Sequence, residues 1–225
     1  MRTFKILTGK QESNHVREIY RRWEKDLQCL DEDAWGFLKK EASPYLMHPD
    51  RGGRGWQQLF DILNQAHAYN YLKGLEATHI RFIPRAGKQS SRTPDLEGIL
   101  QSGRMLCEVK TINISQREAH ARKHSTVREI QYRLDDGFLG KLRSDIREAK
   151  SQLEAYDPAS KAQHFVYINV CFDDFLSQYK EEYFRQIDQF LAGWPTPGVA
   201  LVFHNDRTPA YKPLKMKNAR VANAN

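Results

Sequence analysis

The stretch "TPDLEGILQSGRMLCEVKTI", residues 93–112, decides how this chain is to be read. Two apolar runs flank the pair Ser102-Gly103, and each carries charge where a buried strand normally has none. Asp95 and Glu97 sit in the first run, Glu108 and Lys110 in the second. An unpaired buried charge is costly or is neutralised, so these four need a reason. Taking Ser102-Gly103 as the tight turn of a hairpin sets Asp95 opposite Lys110 and Glu97 opposite Glu108. Opposed residues share a face, and so do residues two apart along a strand. All four charges therefore gather on one face, while Leu96, Leu100, Met105, Cys107 and Val109 take the other. The result is a charged patch on an apolar backing.

Such a patch suits a divalent cation. Asp95 and Glu108 offer hard oxygen ligands of the kind Mg²⁺ takes while keeping waters and binding substrate phosphate. A cation there lowers the pKa of a bound water and neutralises charge on a phosphoryl transition state. A nearby lysine orients the attacking water or stabilises the same developing charge.

Outward from the hairpin, the pattern predicts a helix over residues 13–42, a Pro- and Gly-rich connector at 43–55, and a helix from Trp56 to about Leu75. "THIRFIPR" (78–85) alternates as a strand. After the hairpin, 113–135 is a polar, basic arm, and "FLGKLRSDIREAKSQLEAY" (138–156) is amphipathic. "HFVYINVCF" (164–172) is a continuous apolar run, which predicts a strand covered on both faces. A helix over 179–193 and a strand in "GVALVFH" (198–204) follow, with a basic tail at 205–225. Helix, three strands, helix, strand, helix, strand implies an α/β protein with a mixed sheet flanked by helices.

Pro94-Asp95, twelve residues, then Glu108-Val109-Lys110 resembles the core motif of the PD-(D/E)xK nuclease superfamily. Gln152-Leu-Glu-Ala-Tyr156 resembles the QxxxY motif of its RecB-type members. The resemblance implies a restriction-endonuclease-like core of four to five strands at 56–204, with an N-terminal helical extension at 1–55 and a flexible tail. It further implies Mg²⁺-dependent cleavage of DNA phosphodiesters, endonucleolytic and leaving a 5′-phosphate, with Mn²⁺ as a substitute. By carry-over Asp95 and Glu108 bind the metal with help from the Val109 carbonyl, Lys110 is the catalytic lysine, and Gln152 and Tyr156 line the site. Two departures stand out: the separation between Lys110 and Gln152 implies an insertion at 113–135, and the first core helix carries only Asp61 as an acid, with Gln65 a substitute.

The formal charge of +7 favours a polyanionic partner. Arg85, Lys88 and Arg92 before the motif, and Arg117, Arg122 and Lys123 in the arm, are read as phosphate contacts, against the bland alternative of a solvated surface. Two rivals to the deoxyribonuclease reading are a non-catalytic DNA-binding protein that keeps the fold, and a ribonuclease. A homodimer or a partner subunit is left open. No apolar run approaches a membrane span, no signal segment opens the chain, and Cys29, Cys107 and Cys171 form no CxxC pair, so a cytoplasmic protein is expected. A second ExK triplet, Glu148-Ala-Lys150, is read as solvated helix surface, and Glu97 as an extra ligand or a rim residue. His120 and His124 are read as solvent-facing, His67 as structural, Arg51-Gly-Gly-Arg54 as a turn, and Trp23, Trp35 and Tyr71 as packing groups.

Overall fold

The computed structural model describes residues 24–45, 57–84, 93–112, 133–134, 136–170 and 179–204. Its helices are α1 (Glu32–Ala42), α2 (Gln57–Leu63), α3 (Gln65–Gly74), α4 (Asp136–Tyr156) and α5 (Lys180–Ala192). Five strands form one mixed sheet in sequence order: β1 (Thr78–Phe82), β2 (Leu96–Leu100), β3 (Gly103–Ile112), β4 (Gln163–Val170) and β5 (Ala200–His204). β1, β2 and β3 pair antiparallel, whereas β4 joins β3 and β5 joins β4 in parallel. Parallel neighbours need a crossover, and α4 and α5 are the helices of those two crossovers.

Each sheet face has its own core. One is built with α1, α2 and α3, through Leu38, Leu59, Leu63, Tyr69 and Leu72 against Leu96, Met105, Cys107 and Tyr167. The other is built with α4 and α5, through Leu142, Ile146, Leu153, Tyr183 and Ile187 against Leu106, Val166 and Ile168. In β4 every residue from Val166 to Val170 is buried, as its unbroken apolar run predicts for a strand covered twice. Helix α1 joins the first of these cores, with Phe37 stacked on Phe82 at 5.3 Å. Among the described residues no helix is long and apolar enough to cross a membrane.

Three local expectations are corrected. The long first helix breaks before Asp31, whose carboxylate accepts the Ala34 N–H at 2.7 Å and the Tyr69 hydroxyl at 2.6 Å. An N-cap acid of this kind starts a helix rather than continuing one. Burial and the Asp31 carboxylate together push the Tyr69 hydroxyl up to about 12. The second helix breaks at Asn64, fully buried, whose carboxamide donates to Thr111 Oγ1 at 3.0 Å. The hairpin turns through Gln101–Ser102, with Leu100 opposite Gly103. Neither turn residue has positive φ, and Gly103, at φ +120°, follows as the first residue of β3. A positive φ is cheap only at glycine, so the glycine falls just after the turn instead of within it.

The register moves accordingly, and Glu97 faces Leu106 rather than Glu108. The faces survive. A shift that moves pairing by two residues leaves every side chain on its own side of the sheet, because the pleat repeats every second residue.

Candidate functional site

The β2–β3 ladder runs from Leu100–Gly103 to Leu96–Cys107. Beyond it, Asp95 lies immediately before β2, buried, and its side chain takes over where the ladder ends. Its Oδ2 accepts the Val109 N–H at 2.8 Å, and its Oδ1 accepts Gln65 Nε2 at 3.2 Å. Strand and helix thus fix this carboxylate from two sides. The buried backbone of Ile83 also donates to the Asp95 carbonyl at 2.9 Å, tying the acid's main chain to the end of β1.

Glu108 is buried on β3, and Lys110 follows two residues later on the same face, with Nζ 3.2 Å from Glu108 Oε1. Lys110 Nζ also donates to Gln152 Oε1 at 3.0 Å and lies 3.4 Å from Glu148 Oε1. Gln152 and Glu148 are four apart on α4 and therefore neighbours on its surface. The helix's apolar stripe, Leu142, Ile146, Ala149 and Leu153, seats it on the sheet and brings this polar edge over Lys110.

Among the described residues, the Glu108 and Glu148 carboxylates both lie in ion-pair reach of the one Lys110 ammonium, with the Asp95 carboxylate bound to the adjacent Val109 N–H. The Cys107 thiol registers the acids: burial pushes its pKa well up, and the Asp95 and Glu108 carboxylates push in the same direction. Asp95 and Glu108 are the pair suited to a cation. They offer only hard oxygens, and a carboxylate oxygen that accepts one hydrogen bond keeps room for another partner. Among the described residues no three His, Cys, Asp or Glu side chains converge in a metal-sized group. Two acids and no soft ligand fit Mg²⁺, which retains waters, better than a closed zinc site.

The sequence-predicted residues fall into three groups. Asp95, Val109, Glu108, Lys110 and Gln152 are brought together, Val109 through its N–H to Asp95. Tyr156 points elsewhere: its ring lies 5.8 Å from the Arg104 guanidinium, near the start of β3. Glu97 is at that end too, paired with Arg81 and, at 2.8 Å, with Arg104. Burial would raise its pKa, but the two guanidiniums outweigh that and hold it below the usual carboxylate range. Glu97 is a rim residue. Arg85, Lys88, Arg92, Arg117, Arg122 and Lys123, with His120, His124 and Cys171, lie outside the described residues.

Of the second ExK triplet, Lys150 turns away to the Pro197 carbonyl at 3.0 Å, as a surface residue should. Glu148 does not follow the same reading, for it reaches the first triplet's lysine. The signal was present in the sequence: a helix face that carries Gln152 to the site carries the residue four positions earlier as well. Gln65 reaches Asp95 from the start of α3, the role its place on the first core helix allowed. His67 is structural in its contacts, with Nδ1 3.0 Å from Asp26 Oδ2 and its ring edge-on to His204. Comparison of the chain with models of protein families, with curated proteins and with solved structures returned no match.

Proposed function

We propose that the protein is a Mg²⁺-dependent deoxyribonuclease with a restriction-endonuclease-like core. The observation that carries this reading is the meeting of Asp95, just before β2, with Glu108 and Lys110 of β3 and Gln152 of α4. Carboxylates beside a lysine, at the end of a strand ladder, are what phosphodiester hydrolysis needs and what a purely binding surface has no use for. The carboxylates repel a phosphate on their own, so the substrate chemistry implies a cation. Asp95 and Glu108 would hold Mg²⁺, or Mn²⁺ in its place, and the cation would supply Lewis acidity and an acidified water.

The chain's own residues do the rest. Gln65 and the Val109 N–H keep Asp95 from swinging, so its oxygens are pre-aimed. Glu108 and Gln152 hold the Lys110 ammonium, which donates to the charge that develops on the phosphate oxygens. A water oxygen forms the new bond to phosphorus, the bond to the 3′ oxygen breaks, and the products carry a 5′-phosphate and a 3′-hydroxyl. The net charge of +7 favours association with a polyanion of any sequence.

The test is a panel of labelled circular, linear, single-stranded and branched DNAs, with Mg²⁺ and with chelator. Cleavage should require the cation and vanish in Lys110→Ala, while Lys150→Ala cleaves like the parent. Cleavage undiminished in excess chelator, or a loss with Lys150→Ala and not with Lys110→Ala, overturns the proposal.

A further inference from the structure

A lysine ammonium has three N–H bonds, and Lys110 Nζ has three partners: it donates to Gln152 Oε1 at 3.0 Å and forms ion pairs with Glu108 Oε1 at 3.2 Å and Glu148 Oε1 at 3.4 Å. A phosphate oxygen that is to meet this ammonium must first displace one of the three. They are not equally replaceable. Glu108 is buried on the rigid central part of β3, and Gln152 is half-buried against the sheet. The Glu148 side chain is 62% exposed and gives the longest of the three contacts. It alone can swing into water without moving a strand or opening a core.

We propose that Glu148 is a resident stand-in for the substrate's phosphate: it is the ion-pair partner of Lys110 on the open side and is displaced when a backbone phosphate arrives. The proposal rests on the reading of this site as one that takes a phosphodiester. Two consequences follow from the charge and the geometry. With the site empty, Glu148 holds the ammonium in the orientation it needs, so the lysine is not left to wander. With substrate present, Glu148 competes as a tethered anion, and it repels the incoming backbone. Removing its charge should therefore favour binding of the polyanion more than it favours any later step.

The experiment measures binding of a labelled DNA oligonucleotide in chelator at low salt, where cleavage cannot interfere. Glu148→Gln should tighten binding about two- to fivefold, the range expected for losing one exposed ion pair that competes with the ligand. Glu154→Gln removes the same charge from the same helix, where its partner is Lys150 at 3.7 Å, and should leave affinity unchanged. In a Lys110→Ala background the gain from Glu148→Gln should disappear, since a stand-in matters only while there is an ammonium to contest. With Mg²⁺, Glu148→Gln should lower KM, with kcat changing less than KM does.

An equal gain from Glu154→Gln would reduce the effect to general charge and overturn the proposal. So would a gain that persists without Lys110, or no gain at all. A loss of turnover in Glu148→Gln as deep as that of Lys110→Ala would put Glu148 in the machinery instead of in front of it, and would also overturn it. If the parent protein cleaves no DNA yet the binding pattern holds, the nuclease reading falls and the displacement by phosphate stands.

Discussion

Lys110 and Thr111 are consecutive in β3 and point to opposite sides of one sheet, where the polar groups around them obey different rules. On the α4 side, Lys110 meets the Glu108 and Glu148 carboxylates, partly open to solvent. On the other side, Thr111, Asn169 and His204 lie in register across β3, β4 and β5, all under the helices. In that second row Asn169 and His204 are buried and Thr111 is half-buried. Asn64 donates to Thr111 at 3.0 Å, His204 Nδ1 donates to Asn169 Oδ1 at 3.1 Å, and His67 packs edge-on to His204 at 4.4 Å. Thr111, Asn169 and His204 are themselves neutral, with the Asp26 carboxylate reached only through His67 behind them, and burial drives the His204 ring toward its neutral form. Neutral polar groups bonded to one another under helices specify a fold; carboxylates gathered round a lysine at an open edge are held ready for something else.

The comparison breaks if the two sides respond alike to substitution. The largest contrast is expected in catalysis. Asp95→Asn and Glu108→Gln keep the shape and remove a charge, so each should cut DNA cleavage by about a hundredfold or more. Thermal unfolding of Glu108→Gln should change little, whereas Asp95→Asn should lose some stability, because an amide can accept only one of the two hydrogen bonds that Asp95 takes from Val109 and Gln65. Gel shift in chelator should show metal-free DNA binding equal or tighter; loss of binding together with loss of cleavage would make these carboxylates structural.

On the side of Asn169 and His204 the expectation reverses. Asn169→Ala leaves a cavity and a His204 N–H without its acceptor, and should cost about 2–4 kcal/mol in urea unfolding. Cleavage per folded molecule should persist. The next effect is one of pH. His204 is held neutral chiefly by burial, with His67 and Lys180 acting in the same direction, so its folded pKa lies below its unfolded value. The unfolded chain then binds the extra proton, and stability falls as the pH drops below about 6.5, by about 2 kcal/mol at pH 5. Melting curves from pH 7.5 to pH 5 measure this, and His204→Gln should flatten the slope while lowering the plateau. The smallest effect belongs to Lys150→Ala, which loses the bond to the Pro197 carbonyl and the exposed pair with Glu154 and should cost about 1 kcal/mol or less with cleavage untouched.

What the sequence disclosed follows from periodicity. The side each of Glu97, Glu108 and Lys110 takes survived an error in the turn because strand faces depend only on odd and even positions. The turn itself was not legible, since Ser102-Gly103 and Gln101-Ser102 both read as acceptable two-residue loops and only the backbone angle at Gly103 separates them. The mixed sheet flanked by helices was legible from the alternation of elements, though not the order of its strands, and β4 from its unbroken apolar run. The break at Asn64 was not, because the apolar stripe of Leu59, Leu63 and Ala66 continues through it and the Asn64 side chain finds its partner, Thr111, far along the chain. Tyr156 was misplaced because the spacing that aligns it with Gln152 on α4 says nothing of where the helix stops covering the strand.

The Asp95 carboxylate does the work of a missing strand partner, and this has a use beyond chemistry. The Val109 amide proton points at an oxygen of the residue read as a metal ligand, 2.8 Å away, yet Val109 need never touch substrate. Anything that draws electron density from that carboxylate weakens the bond this proton makes. In a ¹⁵N-labelled sample its resonance is therefore a built-in sensor. It should shift as Mg²⁺ is titrated, and its exchange with deuterium should report how often the end of the hairpin opens, before any nucleic acid is added.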